Sequence, residues 1–189
     1  MANSDLMQLA KRSLHGRWGL AIGTFLVYML ITCSFGAWQK TGVIALLIGG
    51  PMILGAAIFS LAISRGRDAR LEQIFDGFRL FGKALATYLL MILIIALWTL
   101  LLIVPGIIAA LSYSMTFYAL ADNPALQPME ALNQSKRMMD GYKWKLFSLC
   151  MRFLVMALLC VFTLGIGLLW LIPYVNITMA EFYDDIRDR

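Results

Sequence analysis

The side chains able to do acid–base, nucleophilic or metal chemistry are few in this chain, and their spacing does not suit them to it. His15 is the one histidine. It sits among basic residues on an amphipathic stretch, the setting of a solvated interface side chain, and a general base needs a partner within reach. Cys33, Cys150 and Cys160 all fall inside apolar runs. With a single histidine they make no metal-ligand spacing, and small apolar core residues are the expectation. Asp184, Asp185 and Asp188 together could gather a cation, but carboxylates so near a terminus read as a solvated acidic tail. No nucleophile, base or metal cluster stands at workable spacing, so the chain reads as a non-enzyme with no cofactor and no metal.

What remains is cationic. Arg79 with Lys83, and Lys136 with Arg137, lie beside apolar stripes at helical spacing, the pattern that sets basic side chains against anionic lipid headgroups. Arg152 is the one ionisable residue inside an apolar run, which makes it a functional candidate by default. It follows Lys145 by about two helical turns. Snorkelling to the interface is its plainer account, and a counter-ion for a lipid phosphate between helices is the functional one. Tyr113, Ser114, Thr116, Tyr174, Asn176 and Thr178 are the other polar groups at membrane depth, and interhelical hydrogen bonding accounts for most of them.

The elements that carry these residues follow from composition. Of 189 residues 61% are hydrophobic and 14% charged, against roughly 25% charged in a soluble domain. Six helices of about 20 residues would cross a bilayer six times and use most of the chain. The net charge of +5 then reads first as a topology signal and not as a nucleic-acid surface.

Between Lys83 and Asp122 there is no charge, and as one helix the run would be nearly twice as long as the hydrocarbon is thick. It must fold back, and Val104-Pro105-Gly106 is the natural turn. Leu146 to Ala180 repeats the situation, with Gly165 and Gly167 in its turn and Pro173 expected to kink or loosen the second arm. A first hairpin runs from Trp18 to Ser64 around Gln39-Lys40-Thr41-Gly42, with a break expected at Gly49-Gly50-Pro51. The fold class is thus all-α: a polytopic bundle of six hydrophobic segments in three hairpins, about 18–64, 84–121 and 146–180, in one integral membrane domain 1–189. Re-entrant wedges that never cross are the rival, because 105–121 is short for a span.

Nearly all cations fall on one side of this topology, with Lys40 alone opposite, so the positive-inside rule places both termini and both long connections in the cytoplasm. Trp38, Trp98 and Trp170 gather at the far interface, and Trp18 and Trp144 at the near one. A short amphipathic stretch precedes each hairpin. Ala10-Lys11-Arg12 with Gly16-Arg17-Trp18 aligns with Ser135-Lys136-Arg137 with Gly141-Tyr142-Lys143-Trp144, as one repeated unit would. The middle stretch, with Leu71, Ile74, Phe75, Phe78 and Phe81 on one face, is a looser copy. These faces either lie in the headgroup region or pack on the bundle itself, since amphipathicity does not name its apolar partner.

The run Val104-Pro105-Gly106-Ile107-Ile108-Ala109-Ala110 is followed by Tyr118-Ala119-Leu120-Ala121-Asp122-Asn123-Pro124. With Ser135-Lys136-Arg137-Met138-Met139, Thr163-Leu164-Gly165-Ile166-Gly167 and Pro173-Tyr174 in order after it, the chain resembles the bacterial multi-pass membrane proteins of domain of unknown function family 975. The resemblance implies a bacterial cytoplasmic (inner) membrane and a distant likeness to the membrane portion of some glycerophosphodiester phosphodiesterases, with no catalytic residue to carry over. Arg152 and Met156 depart from the family pattern, which has a small residue and often tryptophan there. The functional expectation is a membrane protein that organises or binds lipid, anionic lipid above all, or a membrane partner, which includes a second copy. A small transporter or lipid translocator is the alternative, and nucleic acid is not an expected partner.

Overall fold

The computed structural model describes residues 2–36, 42–162 and 165–187, and every element among them is helical. In order they are α1 (Asn3–Ser13), α2 (Trp18–Gly36), α3 (Gly42–Ser64), a 3-10 segment (Leu71–Leu80), α4 (Phe81–Leu101), α5 (Ile103–Tyr113), α6 (Thr116–Asp122), α7 (Pro128–Met138), α8 (Lys143–Val161) and α9 (Leu168–Arg187). Four stretches are long and apolar enough to cross a membrane, and a fifth is added if α1 and the start of α2, bent by 99°, form one span. The protein is therefore a helical membrane protein.

Helices in lipid gain little from mutual hydrophobicity and associate where small residues let backbones approach. In α3 that role falls to glycine. A Cβ at Gly50 would stand 2.6 Å from the Ala84 carbonyl of α4, and one at Gly55 would overlap the Ile74 carbonyl of the 3-10 segment. Gly77 of that segment in turn lies on the Pro51 carbonyl. This corrects the expected break at Gly49-Gly50-Pro51, because α3 runs unbroken through it. The glycines there serve close packing. The middle amphipathic stretch is likewise a 3-10 segment where an α-helix was expected.

The second hairpin reverses at Leu102, whose backbone is extended (φ −160°, ψ 141°), two residues before the expected turn. Pro105 then falls within the first turn of α5, where its missing N–H costs nothing. Gly106 lets that arm lie directly on Thr99 of α4. The arm expected at 105–121 stands as one stretch long and apolar enough to span, Ile103–Asp122, with a short interruption at Ser114–Met115 between α5 and α6. In the third hairpin Gly165 takes φ +82°, a conformation open to glycine, and donates its N–H to the Cys160 carbonyl at 3.1 Å. Gly167 follows as the residue whose carbonyl accepts from Leu171 at 3.0 Å. α9 continues through a buried Pro173 without interruption, so the expected kink or loosening does not break the helix. The turn around Lys40, the far-interface Trp38, residues Thr163 and Leu164, and Asp188 lie outside the described residues, and the side chain of Cys33 is likewise not described.

Hydrogen bonds bring the charged segments to one end of the bundle. Arg17 reaches the Arg67 carbonyl at 2.9 Å, Asn3 the Lys145 carbonyl at 3.1 Å, and Ser13 the Glu181 carboxylate at 2.8 Å. Arg65 at the end of α3 holds Asp184 at 2.6 Å and also pairs with Asp122, which Arg187 meets at 2.7 Å. Hydrogen bonding to Asp184 is the main reason the Arg65 pKa is raised. Asp185 is buried and pairs with Lys145 at 2.6 Å. The expected solvated acidic tail is thus wrong for Asp184 and Asp185: α9 carries them back over the bundle, where cations from α3 and α8 meet them. For Cys150, which is exposed, and Cys160, which is only half-buried, the expectation of core cysteines also fails.

Candidate functional site

A polar cleft opens at the basic end, and α7 builds it. Pro128 opens that helix, and the Gln127 N–H donates to the Glu130 carboxylate at 2.8 Å, which satisfies a donor the helix start leaves free. Ala131, Leu132, Ser135 and Met139 face inward and are buried. The Ser135 hydroxyl donates to the Ser112 carbonyl at 2.8 Å and accepts the Met115 N–H at 3.1 Å. It therefore pins α7 onto the interruption between α5 and α6, and satisfies a backbone donor that the interruption leaves without a helical partner.

With Ser135 turned inward, Lys136 and Arg137 are left on the outer side. Gly141 takes φ +80°, and this left-handed residue reverses the chain so that α8 begins at once with Lys143. Asn133, Lys136, Arg137, Asp140 and Lys143 line a cleft of about 510 Å³. A smaller groove of about 180 Å³ continues from it along α5 between Tyr113, Ala109, Ile108 and Pro105 to Trp98 of α4, and Lys136 and Lys143 border both spaces. The arrangement offers three cations against one carboxylate at its mouth and an apolar channel behind them. Among the described residues, none of these three cations has an ion pair or hydrogen bond of its side chain. No three His, Cys, Asp or Glu side chains among the described residues come together in a way that could hold a metal ion.

The cations expected to meet headgroups are thus sorted by their surroundings. Lys136 and Arg137 border the cleft. Lys83 instead spends its ammonium on the carbonyls of Pro124 and Ala125, at 2.8 and 3.2 Å, and so closes the loop before α7. Arg79 is exposed, with Asp76 3.8 Å away. Arg152 is exposed in the middle of α8, away from this cleft. Lys143 was legible only as a topological charge. It joins the cleft through the left-handed turn at Gly141, and no helical period links it to Lys136.

The sequence model of the family described as Protein of unknown function (DUF975) matches the chain in two stretches, residues 1–111 and 99–189. No curated protein and no solved structure matches.

Proposed function

Since the chain belongs to the DUF975 family, whose description carries no activity, we propose its function from the cleft itself: it is a non-enzymatic, multi-pass protein of the bacterial inner membrane that binds anionic phospholipid at α5, α7 and α8. In this reading six hydrophobic segments form three hairpins and the basic end faces the cytoplasm, where the positive-inside rule puts it. Membrane lipid is the partner.

One observation carries the reading: Lys136 and Lys143 border a polar cleft and an apolar groove at once. A phospholipid has the same two-part chemistry, and basic pockets between membrane helices on the cytoplasmic side suit anionic headgroups. Trp144, exposed and stacked on Phe147 at 5.3 Å, supports an interface at this depth. A transporter would be favoured by helices broken near the midplane; α3 and α9 run unbroken, and the interruption between α5 and α6 is closed by the Ser135 side chain.

Native mass spectrometry of the gently extracted protein tests the proposal. Each basic residue near an anionic leaflet contributes about 1 kcal/mol. The Lys136→Gln/Arg137→Gln/Lys143→Gln variant should therefore lose most of the anionic phospholipid bound at this cleft while its melting temperature stays within a few degrees of the parent. Arg79→Gln/Lys83→Gln should weaken retention much less, because Lys83 is already committed to backbone carbonyls. The proposal fails if the triple variant and the parent carry the same anionic lipid in the same amount.

A further inference from the structure

A second groove opens at the other side of the third hairpin. It has a volume of about 440 Å³, within the range of ordinary small-molecule sites of roughly 300–1,000 Å³, and lies among Lys11 of α1, Trp18 of α2, Met156 of α8 and the arm of α9. Much of its lining repeats that of the first groove. Lys11 and Lys136, and Trp18 and Lys143, are each 125 residues apart, and so are the left-handed glycines between them, Gly16 at φ +79° and Gly141 at φ +80°. Each amphipathic helix also opens in the same way, with Asp5 accepting the Ala2 N–H at 2.9 Å as Glu130 accepts that of Gln127 at 2.8 Å.

The opposite wall repeats at a different interval. Gly167, just before α9, and Trp170, Leu171 and Tyr174 of α9 stand 62 residues after Pro105, Ile108, Ala109 and Ser112 of α5, with the same spacing along the chain. In both places the last of the four ties its arm to the amphipathic helix. The Ser112 carbonyl accepts from Ser135 of α7, and the Tyr174 hydroxyl donates to the Met7 carbonyl of α1 at 3.0 Å. One packing unit, an amphipathic helix with its left-handed reversal laid against the second arm of a hairpin, is therefore built twice.

We infer that this second groove is a second anionic-phospholipid site, with Lys11 as its headgroup cation. The occupant follows from charge and lining. The groove is apolar apart from Lys11 at its edge, and Arg12 lies beside Lys11 in the same last turn of α1. Arg152 does not line the groove, but it stands one turn before Met156 on the same face of α8 and is exposed. The class of lipid rests on the function proposed above, but the groove, its cations and its repeat do not depend on the α7 cleft.

Native mass spectrometry across four variants separates the two. The parent should retain two anionic phospholipids, Lys11→Gln/Arg152→Gln one, Lys136→Gln/Lys143→Gln one, and the combined variant none, with occupancy falling roughly fivefold per cation removed. Lys11→Arg/Arg152→Lys should keep both lipids. If Lys11→Gln/Arg152→Gln holds two lipids in the parent's proportion, the second site is overturned while the α7 site stands. If only the Lys136→Gln/Lys143→Gln variant is unchanged, the α7 proposal falls and this inference stands.

A measurement that leaves Lys11 in place guards against a variant that does not fold. With Trp38, Trp98 and Trp144 replaced by phenylalanine, fluorescence comes from Trp18 and Trp170, both in the second groove. Phosphatidylglycerol with brominated chains should quench it more than brominated phosphatidylcholine at equal mole fraction. Equal quenching by the two lipids overturns the inference, as does a lipid-free dimer that shields both tryptophans.

Discussion

The 3-10 segment Leu71–Leu80, between α3 and α4, and helix α7, between α6 and α8, occupy corresponding places, and both present an apolar face to the bundle. They meet it in opposite ways. The 3-10 segment closes backbone on backbone, with Gly77 against the Pro51 carbonyl and Gly55 against that of Ile74, and its following lysine is consumed by the Pro124 and Ala125 carbonyls. α7 is held by a side chain, Ser135, bonded to the α5–α6 interruption, and its cations border a cleft and a groove. Contact through glycine leaves no space between elements, whereas contact through a side chain keeps backbones a side chain apart. Similar amphipathic patterns therefore produce a plug in one place and a binding space in the other.

The sharpest way to break that contrast is to put a side chain into the plug. Gly77→Leu should be the most damaging substitution, because its Cβ alone overlaps the Pro51 carbonyl and no rotamer relieves a backbone clash. Overpacking of this kind costs about 3 kcal/mol or more, and the variant should melt far below the parent or fail to fold. Gly82→Ala, where nothing lies within 4 Å of the new methyl group, is its control and should melt as the parent does or slightly higher. Should Gly77→Leu melt normally, the 3-10 segment is not sealed against α3.

On the groove side the effect should be smaller. Ser135→Ala removes the acceptor for the buried Met115 N–H, and an unsatisfied buried donor costs about 1–3 kcal/mol. Calorimetry should show a lowered midpoint, and hydrogen exchange at Met115 should quicken. If exchange there is unchanged, α7 is held by its apolar face alone and the contrast with the 3-10 segment weakens.

The smallest effect distinguishes cations that are spent from cations that are free. Burial by itself would raise the Asp185 pKa, but the hydrogen bond and charge of Lys145 help to outweigh it and hold the carboxyl below its ordinary value. A depressed carboxylate contributes stability that is complete above its unfolded pKa and disappears as pH falls through the folded one. The melting temperature of the parent should accordingly carry an acid limb below about pH 4 that Asp185→Asn lacks. Glu181 acts in the opposite sense. Burial raises its pKa despite the bond from Ser13, so its protonation stabilises the fold as pH falls from neutrality, and Glu181→Gln should remove that gain. An identical acid limb in the parent and Asp185→Asn would show that Lys145 is as free as Lys143.

Much of the molecule was legible because apolar run length and charge position are properties of the chain in order. The uncharged stretch from Lys83 to Asp122 had to fold back whatever it met, and Gly165 had to carry a reversal because an α-helix cannot cross its own axis without one. The Lys11 and Lys136 units could be aligned by eye, since a repeat is written in order too. Other features required contacts between residues far apart. Nothing near Gly49-Gly50-Pro51 says whether the glycines break α3 or admit Ala84, because both uses need the same missing side chain. Whether Asp184 is solvated or paired depends on Arg65, 119 positions earlier.

The sequence by itself determined the class, the reversals near Pro105 and Gly165 where long apolar runs turn back and the grouping of cations by connection, since each is a consequence of hydrophobic length and of charge avoiding hydrocarbon. Only the tertiary structure decided which cations are spent and which border a groove. That choice depends on how closely two backbones approach, which is set by one glycine or one serine at the contact and has no signature in the periodicity of either helix.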